Sequence, residues 1–519
     1  MSPVNSLWDR AGQGCRQGVV CLILWLAGSV LSPSAVVWAA PPDNPQAASG
    51  ALPRPDDKAR DVAPPTIVAP PLYAVLPFVA LLLSIALLPL SHKTADWWER
   101  NSSKLMVSLA CGGATFLFYA LLYGHGVVDH GAHDHALTAP GLPAAITVLK
   151  NSILVEYVPF MVLLFSLYVI SGGINIAGNL RGTPRTNSLI MLIGSLLASF
   201  VGTTGAAMVL IRPLLKANAA RNHVSHTVVF FIFIVCNTGG CLLPIGDPPL
   251  FLGYLKGVPF FWTLQLTPQW AFMNGSLLLI YLAWDTFHYR REQPLVPASG
   301  TTESFTIRGR MNILWLFAVI ACVVVLNPSN PVPGTSFTAP HYLREAVMLG
   351  FVGLSVLMTS RSIREANSFN YDAIIEVGML FVGIFICMQA PIQILHVHGA
   401  ALGIDRPWKF YWATGILSSF LDNAPTYVVF FETAKTVTAT SPLVEGITEA
   451  SIGSAELAAI SLGAVFMGAM TYIGNGPNLM VKAIAEKAGV KMPSFFGYML
   501  YSCTVVLPLS ILLTLVFFS

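Results

Sequence analysis

The sequence predicts an all-α polytopic membrane protein made of two inverted repeats, each with five transmembrane helices and one re-entrant hairpin, and with broken helices at the bilayer midplane. Three observations support this fold class: an apolar composition, recurring apolar runs of span length, and motifs repeated at a fixed distance. Of 519 residues, 55% are hydrophobic and 10% are charged, and the mean hydropathy is +0.67. Soluble domains carry about 25% charged residues, so we expect the lipid bilayer to cover most of the surface.

Net charge and cysteine usage argue against a nucleic-acid-binding protein and against a fold held together by disulfides or zinc. The formal net charge of +3 is small and spread over loops, which argues against nucleic acid as a partner. Of the eight cysteines, two lie in the N-terminal segment and six in apolar runs. They are interpreted as small buried residues rather than as a disulfide or zinc framework.

The first 71 residues are separable from the rest. Arg10 and Arg16 precede an apolar stretch at 19–30, and small residues lead to Ala39, which is typical of a secretory signal peptide over 1–39. An uncleaved signal anchor is the alternative. The segment 40–71 is rich in Pro, Ala and Asp and is predicted to be a flexible extracytoplasmic tail.

Ten apolar runs can each cross a membrane as a helix of roughly 20 residues. They are 72–90, 104–123, 152–172, 226–256, 268–288, 311–326, 343–359, 372–395, 453–486 and 494–518. Two other stretches, 187–217 and 410–434, are too long for one span and are interrupted by Gly or Pro. Each is predicted to be a re-entrant hairpin, whose non-helical tip must be enclosed by protein or a water-filled cavity.

The basic residues of the loops orient these spans. With the tail outside, the loops assigned to the cytoplasm are rich in Lys and Arg, and the opposite loops are poor in them. This satisfies the positive-inside rule. We therefore expect a bacterial inner-membrane protein with its tail on the periplasmic side.

Two halves of the chain share motifs at a constant offset. Glu156 and Glu376 open similar apolar runs 220 residues apart, and Ser199 and Ser419 begin the two hairpin motifs at the same offset. Because each half has an odd number of crossings, the halves must be inverted. The predicted units are a first transport repeat at 72–288, a cytoplasmic linker at 289–310 and a second repeat at 311–519. Inverted repeats with paired interruptions indicate a secondary transporter with its site between the repeats.

Four interruptions combine backbone-breaking residues with oxygen-bearing side chains: 202–205, 246–249, 422–426 and 474–478. Proline removes an N–H group and glycine permits strained turns. The carbonyls and half-helix ends that are freed in this way can bind an ion or a substrate.

Asp422 is the strongest candidate for a binding residue. A carboxylate in an apolar hairpin is costly and is functional by default in a membrane segment, and it can bind either a proton or Na⁺. Neighbouring oxygen donors that can complete a cation site are Ser418, Ser419, Asn423 and Thr426. The alternative is that Asp422 caps the returning half-helix, and the two roles are compatible.

The other interruptions contribute further candidates. Asp247 follows Gly246 and precedes two prolines, so it either binds an ion or caps the next helix. The second repeat has Gly474, Asn475 and Asn478 in the matching region, and the first hairpin offers only Thr203 and Thr204. Our hypothesis places Na⁺ at Asp422, Asn423 and Asn475.

Three other features have open interpretations. Glu156 and Glu376 are either proton-relay groups or structural carboxylates bonded to a neighbouring helix end. The loop at 125–135 contains four histidines and two aspartates. It either binds Zn²⁺, senses pH or is merely solvated.

The motifs SSFLDNAPT at 418–426 and GNGPN at 474–478, together with the paired hairpins, resemble the ion transporter superfamily. This group includes NhaD-type Na⁺/H⁺ antiporters, citrate and dicarboxylate carriers, and arsenite permeases. The resemblance covers roughly residues 72–518, and it implies that Asp422 and Asn423 bind cations and that the protein forms a homodimer. NhaD-type antiporters carry acidic residues in the first hairpin as well, whereas this chain has Gly202, Thr203 and Thr204. Neutral, hydroxyl-rich tips are more similar to the carboxylate carriers.

Two functions remain open from the sequence. The first is Na⁺/H⁺ antiport by alternating access, favoured by Asp422, Asp247 and the two glutamates. The alternative is Na⁺- or H⁺-coupled transport of citrate or another dicarboxylate, because half-helix N-termini can hold a carboxylate without a basic side chain. No nucleophile–base pair or HExxH motif indicates an enzyme, and no cofactor is expected beyond a coupling ion, Na⁺ or H⁺ or both.

Overall fold

The computed structural model describes residues 68–90, 93–130, 137–178, 180–292, 306–326, 335–367, 369–444 and 452–519. The predicted signal segment at 1–39 lies outside the described residues. So do most of the predicted tail at 40–71 and most of the linker at 289–310.

The described chain is predominantly helical, as the sequence predicts. Helices of the first half are α1 (Leu76–Leu87), α2 (Ala95–Trp98), α3 (Asn101–Leu121), α4 (Leu142–Lys150), α5 (Val158–Ser171), α6 (Pro184–Val201), α7 (Thr203–Ala217), α8 (Ser225–Ile234), α9 (Pro248–Leu255) and α10 (Thr267–Arg291). Helices of the second half are α11 (Met311–Val325), α12 (Leu343–Met358), α13 (Arg361–Ala366), α14 (Asp372–Cys387), α15 (Gln389–His398), α16 (Pro407–Ser418), α17 (Asn423–Ala434), α18 (Ser454–Met467), α19 (Gly476–Lys487) and α20 (Phe495–Phe517). A π-helical segment, Asn151–Tyr157, joins α4 to α5.

Helix length and composition identify a multi-pass membrane protein. Among the described residues, four helices are long and apolar enough to cross a bilayer: α3, the continuous helix Leu142–Ser171, α6 and α20. A fifth is added if α14 and the helical segment Gln389–Leu402, which meet at an angle of 41°, form one span. The predicted spans 226–256 and 453–486 fall below this length because Gly and Pro divide each of them into two shorter helices.

Large apolar side chains remain exposed on the outer helices. Leu357 is 83% exposed, Phe496 is 78% exposed, and Leu121 is 75% exposed. Contact between large apolar side chains and water is unfavourable, whereas the hydrocarbon of a bilayer covers them without that penalty. The exposed apolar side chains therefore support a location in the membrane, as the amino-acid composition does.

Two hairpins and two broken spans lie next to one another in the interior. The first hairpin consists of α6 and α7, which meet at Gly202, and the second consists of α16 and α17, which are joined by 419–422. The broken spans run from α8 to α9 and from α18 to α19 through short 3₁₀ turns. Helix α9 packs against α17, and α19 packs against α7, so each broken span contacts the hairpin of the other half.

A short β-ribbon is a feature that the sequence does not predict. Strand β1 (Asn175–Ala177) pairs antiparallel with β2 (Thr306–Arg308), with Asn175 opposite Arg308. The ribbon joins the loop after α5 to the segment before α11. Both loops are assigned to the cytoplasm from their basic residues, and the ribbon places them on one face.

Candidate functional site

Asp247 lies at the centre of a buried polar cluster to which both hairpins and both broken spans contribute. Its Oδ1 accepts hydrogen bonds from Thr203 Oγ1 at 3.0 Å and from Asn475 Nδ2 at 3.4 Å. Its Oδ2 accepts a hydrogen bond from Asn423 Nδ2 at 2.6 Å. Asp247 is only 1% exposed. We call these four residues, Thr203, Asp247, Asn423 and Asn475, the Asp247 cluster.

Four helices begin at the Asp247 cluster. Thr203 and Asn423 are the first residues of α7 and α17, and Asp247 and Asn475 immediately precede α9 and α19. The chain can turn this sharply in the first hairpin because Gly202 has φ +80° and ψ 150°, a region that is essentially restricted to glycine. In the broken spans, proline occupies the first turn of α9 and of α19, where its missing N–H group costs nothing. The positive ends of four helix dipoles therefore converge on one point.

Glycine allows the broken spans to approach the hairpins closely. A Cβ atom on Gly474 would lie 2.6 Å from the carbonyl oxygen of Gly468 and 2.9 Å from that of Ser418. A Cβ atom on Gly246 would lie 2.9 Å from the Cα atom of Ser199. These predicted site residues therefore act through their lack of a side chain.

Asp422 adopts the capping arrangement that the sequence leaves open. Its Oδ1 accepts a hydrogen bond from the backbone N–H of Ala424 at 3.1 Å, at the N-terminus of α17. Asp422 is half-buried and lines the large cavity described below. Asp247, by contrast, makes no side-chain cap to its own helix α9 and uses its carboxylate between elements.

Several predicted ligands donate their hydrogens to backbone carbonyls in this structure. Ser418 Oγ donates to Ala464, and Ser419 Oγ donates to Gly415 and Met467. Thr426 Oγ1 donates to the carbonyl of Asp422 at 3.0 Å. Ser418 and Ser419 thereby fix the second hairpin against α18, whereas Thr426 bonds within the hairpin. All three hydroxyl groups lie beside the Asp247 cluster rather than within it.

Asn237 is a residue that sequence analysis missed. Its Nδ2 donates to Asn478 Oδ1 at 2.8 Å, and its Oδ1 accepts from Asn475 Nδ2 at 3.3 Å. Asn478 in turn donates to the carbonyls of Gly468 and Thr471 at 3.0 Å. Asn237 thus joins the two broken spans. The only signal for it is an Asn-Thr pair within the apolar run 226–256, ten residues before Asp247.

Asn423 has one polar atom that is unpaired within the described part of the chain. Its Nδ2 is bound to Asp247, but its Oδ1 is buried and has no hydrogen-bond partner among the described residues. A buried carbonyl oxygen without a donor is costly. Together with the adjacent Asp247 carboxylate, it is the kind of oxygen that binds a small hard cation.

The two candidate relay glutamates bond to residues outside the Asp247 cluster, and each is paired with a lysine. Glu156 Oε1 lies 3.4 Å from Lys256 Nζ, and Glu156 Oε2 accepts from Gln389. Lys256 also lies 3.1 Å from Glu432. Glu376 Oε1 lies 2.7 Å from Lys104 Nζ and has a side chain that is 45% exposed.

The histidine-rich loop is described only in part. Asp129 forms an ion pair with Lys150 at 2.7 Å, whereas His133, Asp134 and His135 lie outside the described residues. Within the part of the chain that the structure describes, no group of three or more His, Cys, Asp or Glu side chains could hold a metal ion.

A cavity of about 1560 Å³ gives access to the cluster. Its inner wall includes Thr203, Thr204, Asp422 and Asn475, so it reaches the tips of both hairpins. Basic side chains dominate its charged wall. They are Lys104, Arg212, Lys216, Arg221, Lys482, Lys487 and Lys491, against the acidic Glu99, Asp372, Glu376 and Asp422. The positive-inside rule predicts that this basic face is the cytoplasmic one.

The apolar outer surface, the enclosed polar cluster and the cavity that leads to it define a multi-pass membrane transporter. The chain belongs to the CitMHS_2 family, described as "Putative citrate transport", whose model matches residues 68–518. This confirms the resemblance to a citrate carrier-like family. A comparison with curated proteins found no match. The family supports carboxylate transport better than the Na⁺/H⁺ antiport that the sequence analysis puts first.

Proposed function

We propose that the protein is a secondary active transporter that moves a citrate-class carboxylate together with a coupling cation, Na⁺ or H⁺, by alternating access. The observation that carries the proposal is the convergence of four helix N-termini on the Asp247 cluster at the end of a mainly basic cavity. Helix N-termini present free N–H groups and partial positive charge to anions. A carboxylate can therefore be held there although the cluster contains no Lys or Arg.

The Asp247 carboxylate gives a reason for coupling to a cation. A substrate carboxylate entering the cluster would be repelled by Asp247, since like charges interact strongly where water is scarce. A cation bound beside Asp247, or a proton on it, removes this repulsion. We propose that the unpartnered Asn423 Oδ1 binds this cation with Asp247, and that Asp422 and Asn475 complete its surroundings.

The remaining candidates support the site. Ser418, Ser419, Thr426 and Asn478 hold the second hairpin and the second broken span in place, and Gly246 and Gly474 allow their close approach. Thr203 and Thr204 supply hydroxyl groups from the first hairpin, which lines the cavity together with the second.

Alternating access follows from the predicted inverted repeats. We propose that 72–288 and 311–519 are these repeats, that the hairpins and broken spans move as a unit against the other helices, and that the protein is a homodimer in a bacterial inner membrane. The tail at 40–71 is then periplasmic, and the described cavity opens to the cytoplasm.

Purified protein in proteoliposomes tests the function. An inward Na⁺ or H⁺ gradient should drive accumulation of radiolabelled citrate above the level in protein-free vesicles. The control is the same vesicles with the gradient dissipated by an ionophore. A lack of citrate uptake under both gradients would refute the proposal.

Na⁺/H⁺ exchange is a second candidate, favoured by the buried Asp247 carboxylate and the unpartnered Asn423 oxygen. The same vesicles discriminate the two functions when loaded with a pH-sensitive dye. Exchange predicts that a Na⁺ pulse collapses an imposed pH gradient in the absence of citrate. Cation-coupled carboxylate transport predicts no collapse until citrate is added.

A further inference from the structure

We infer that Arg212 forms a carboxylate-binding site in the cavity, separate from the Asp247 cluster, at which a citrate-class anion binds before it reaches the hairpin tips. The inference rests on the proposed function and adds to it a specific residue and step. Arg212 belongs to α7, the arm of the first hairpin that leads away from the tip along the cavity wall.

The guanidinium group of Arg212 is incompletely satisfied within the described part of the chain. Its Nη1 atom is buried and makes no hydrogen bond to a described residue, although the side chain lines the cavity. Other basic residues of the same wall are paired: Lys104 with Glu376 at 2.7 Å, and Arg221 with Asp285 at 2.7 Å. An unsatisfied buried donor on a charged group is costly. A carboxylate that binds the rest of the guanidinium group from the cavity would offset this cost.

The surroundings of Arg212 favour an anion from the cavity over a protein partner. Tyr168 lines the same cavity and uses its hydroxyl to donate to the carbonyl of Asn370 at 2.9 Å. Asp372 also lines the cavity, but neither it nor any other described residue accepts a hydrogen bond from Arg212 Nη1. Arginine presents parallel N–H donors that match both oxygens of a carboxylate. Arg212 is therefore suited to a ligand with its own carboxylate.

The position of Arg212 separates it from the central cluster. It lies nine residues along α7 from Thr203, which corresponds to about 13.5 Å at 1.5 Å per residue. Thr203 and Arg212 thus lie at different depths along the cavity wall that both of them line. Arg212 therefore marks a second binding position in the cavity. The basic wall around it would raise the local concentration of anions.

Substitution of Arg212 in sided proteoliposomes tests the inference. We expect Arg212→Gln to raise the KM for citrate presented to the cavity face at least ten-fold, because a charge-assisted hydrogen bond contributes about 1.5–3 kcal/mol and about 1.4 kcal/mol corresponds to ten-fold. The KM from the opposite face should stay within two-fold of the native value. Arg212→Lys should give an intermediate KM, because it keeps the charge and loses the paired donors. The matched control is Arg361→Gln, which removes one exposed positive charge outside the cavity wall.

The outcomes separate this inference from the function on which it rests. If the native protein transports no carboxylate, the proposed function fails and Arg212 loses its role with it. If the native protein transports citrate and Arg212→Gln matches Arg361→Gln in KM on the cavity face, the function stands and the Arg212 site is refuted. A fall in maximal rate from both faces with unchanged KM would also refute it, since that shows a structural role. Should Arg212→Gln not fold, Arg212→Lys decides by the same comparison of KM values.

Discussion

Asn423 donates a 2.6 Å hydrogen bond from its Nδ2 to Oδ2 of Asp247, and so joins the second hairpin to the first broken span across 176 residues of sequence. This contact brings together the two halves of the chain at the point where four helices begin. It also leaves Asn423 Oδ1 buried beside the Asp247 carboxylate without a donor among the described residues. The properties of the site depend on this pair.

Replacing Asp247 by Asn should abolish coupled transport while the protein still folds. The amide keeps the shape of the side chain, but it removes the charge that binds the cation and weakens hydrogen bonds worth about 1.5–3 kcal/mol each when the acceptor is charged. Citrate uptake driven by a cation gradient should fall at least one hundred-fold. Asp405→Asn, at an exposed carboxylate that pairs with Lys409 at the surface, is the control and should transport normally. If the Asp247→Asn variant takes up citrate at the rate of the native protein, the Asp247 carboxylate is dispensable.

Asp422 offers a way to separate capping from cation binding. Asn is as good an N-cap as Asp, so Asp422→Asn keeps the helix start and removes only the charge. Asp422→Ala removes both, and the lost cap costs about 1 kcal/mol. If Asp422 binds the cation, both variants should need much more Na⁺ or H⁺ for half-maximal uptake, but only the Ala variant should unfold at a lower temperature in detergent. If Asp422→Asn needs no more Na⁺ or H⁺ than the native protein for half-maximal uptake, Asp422 only caps the helix and does not bind the cation.

The sequence predicts the elements of this site better than their roles. Glycine, proline and polar residues in apolar runs are sufficient to locate the four interruptions, because such residues are costly in lipid unless they serve a purpose. The sequence ranks Asp422 above Asp247, yet Asp247 is the residue at the centre of the cluster. Its central position depends on contacts across 44, 176 and 228 residues of sequence, and no local pattern specifies these contacts.

Asn237 and Arg212 show why parts of the site escape sequence analysis. Asn237 lies in an apolar run, and a single Asn there resembles any buried amide. Arg212 follows the hairpin tip by nine residues. The positive-inside rule already accounts for a basic residue there, so the sequence does not indicate a binding role. Only the structure shows that its guanidinium lines a cavity with a buried donor that no described residue satisfies. The β-ribbon is equally hidden, since three-residue strands have no periodicity to detect.

Replacing Lys256 by Met should lower the stability of the protein. It lies between Glu156 at 3.4 Å and Glu432 at 3.1 Å, and its side chain is 17% exposed. Lys256→Met leaves these carboxylates without their shared partner. We expect a loss of about 2 kcal/mol of unfolding free energy, somewhat below the roughly 3–5 kcal/mol for a fully buried pair. Thermal unfolding in detergent measures it, and Lys409→Met, at an exposed pair, should change stability by less than about 1 kcal/mol.

Glu156→Gln and Glu376→Gln test the relay directly. Each glutamate has a lysine partner, and the amide oxygen that Glu156→Gln introduces could still accept the hydrogen bond from Gln389. We therefore expect the pH profile of citrate uptake to keep its midpoint in both variants. A displaced midpoint in Glu156→Gln or Glu376→Gln would establish that glutamate as part of a proton path.

Gly474→Ala should disrupt the site without altering any polar group. The new Cβ atom would lie 2.6 Å from the backbone carbonyl oxygen of Gly468 and 2.9 Å from that of Ser418, and backbone cannot swing aside as a side chain can. The second broken span must then move away from the second hairpin, which displaces Asn475 from Asp247. We expect citrate uptake to fall at least ten-fold, with a lower unfolding temperature.

Gly275→Ala is the matched control, because its Cβ atom meets nothing within 4 Å in the middle of α10. That control should transport normally and gain up to about 1 kcal/mol from helix propensity, whereas native activity in Gly474→Ala would contradict the tight contact between hairpin and broken span.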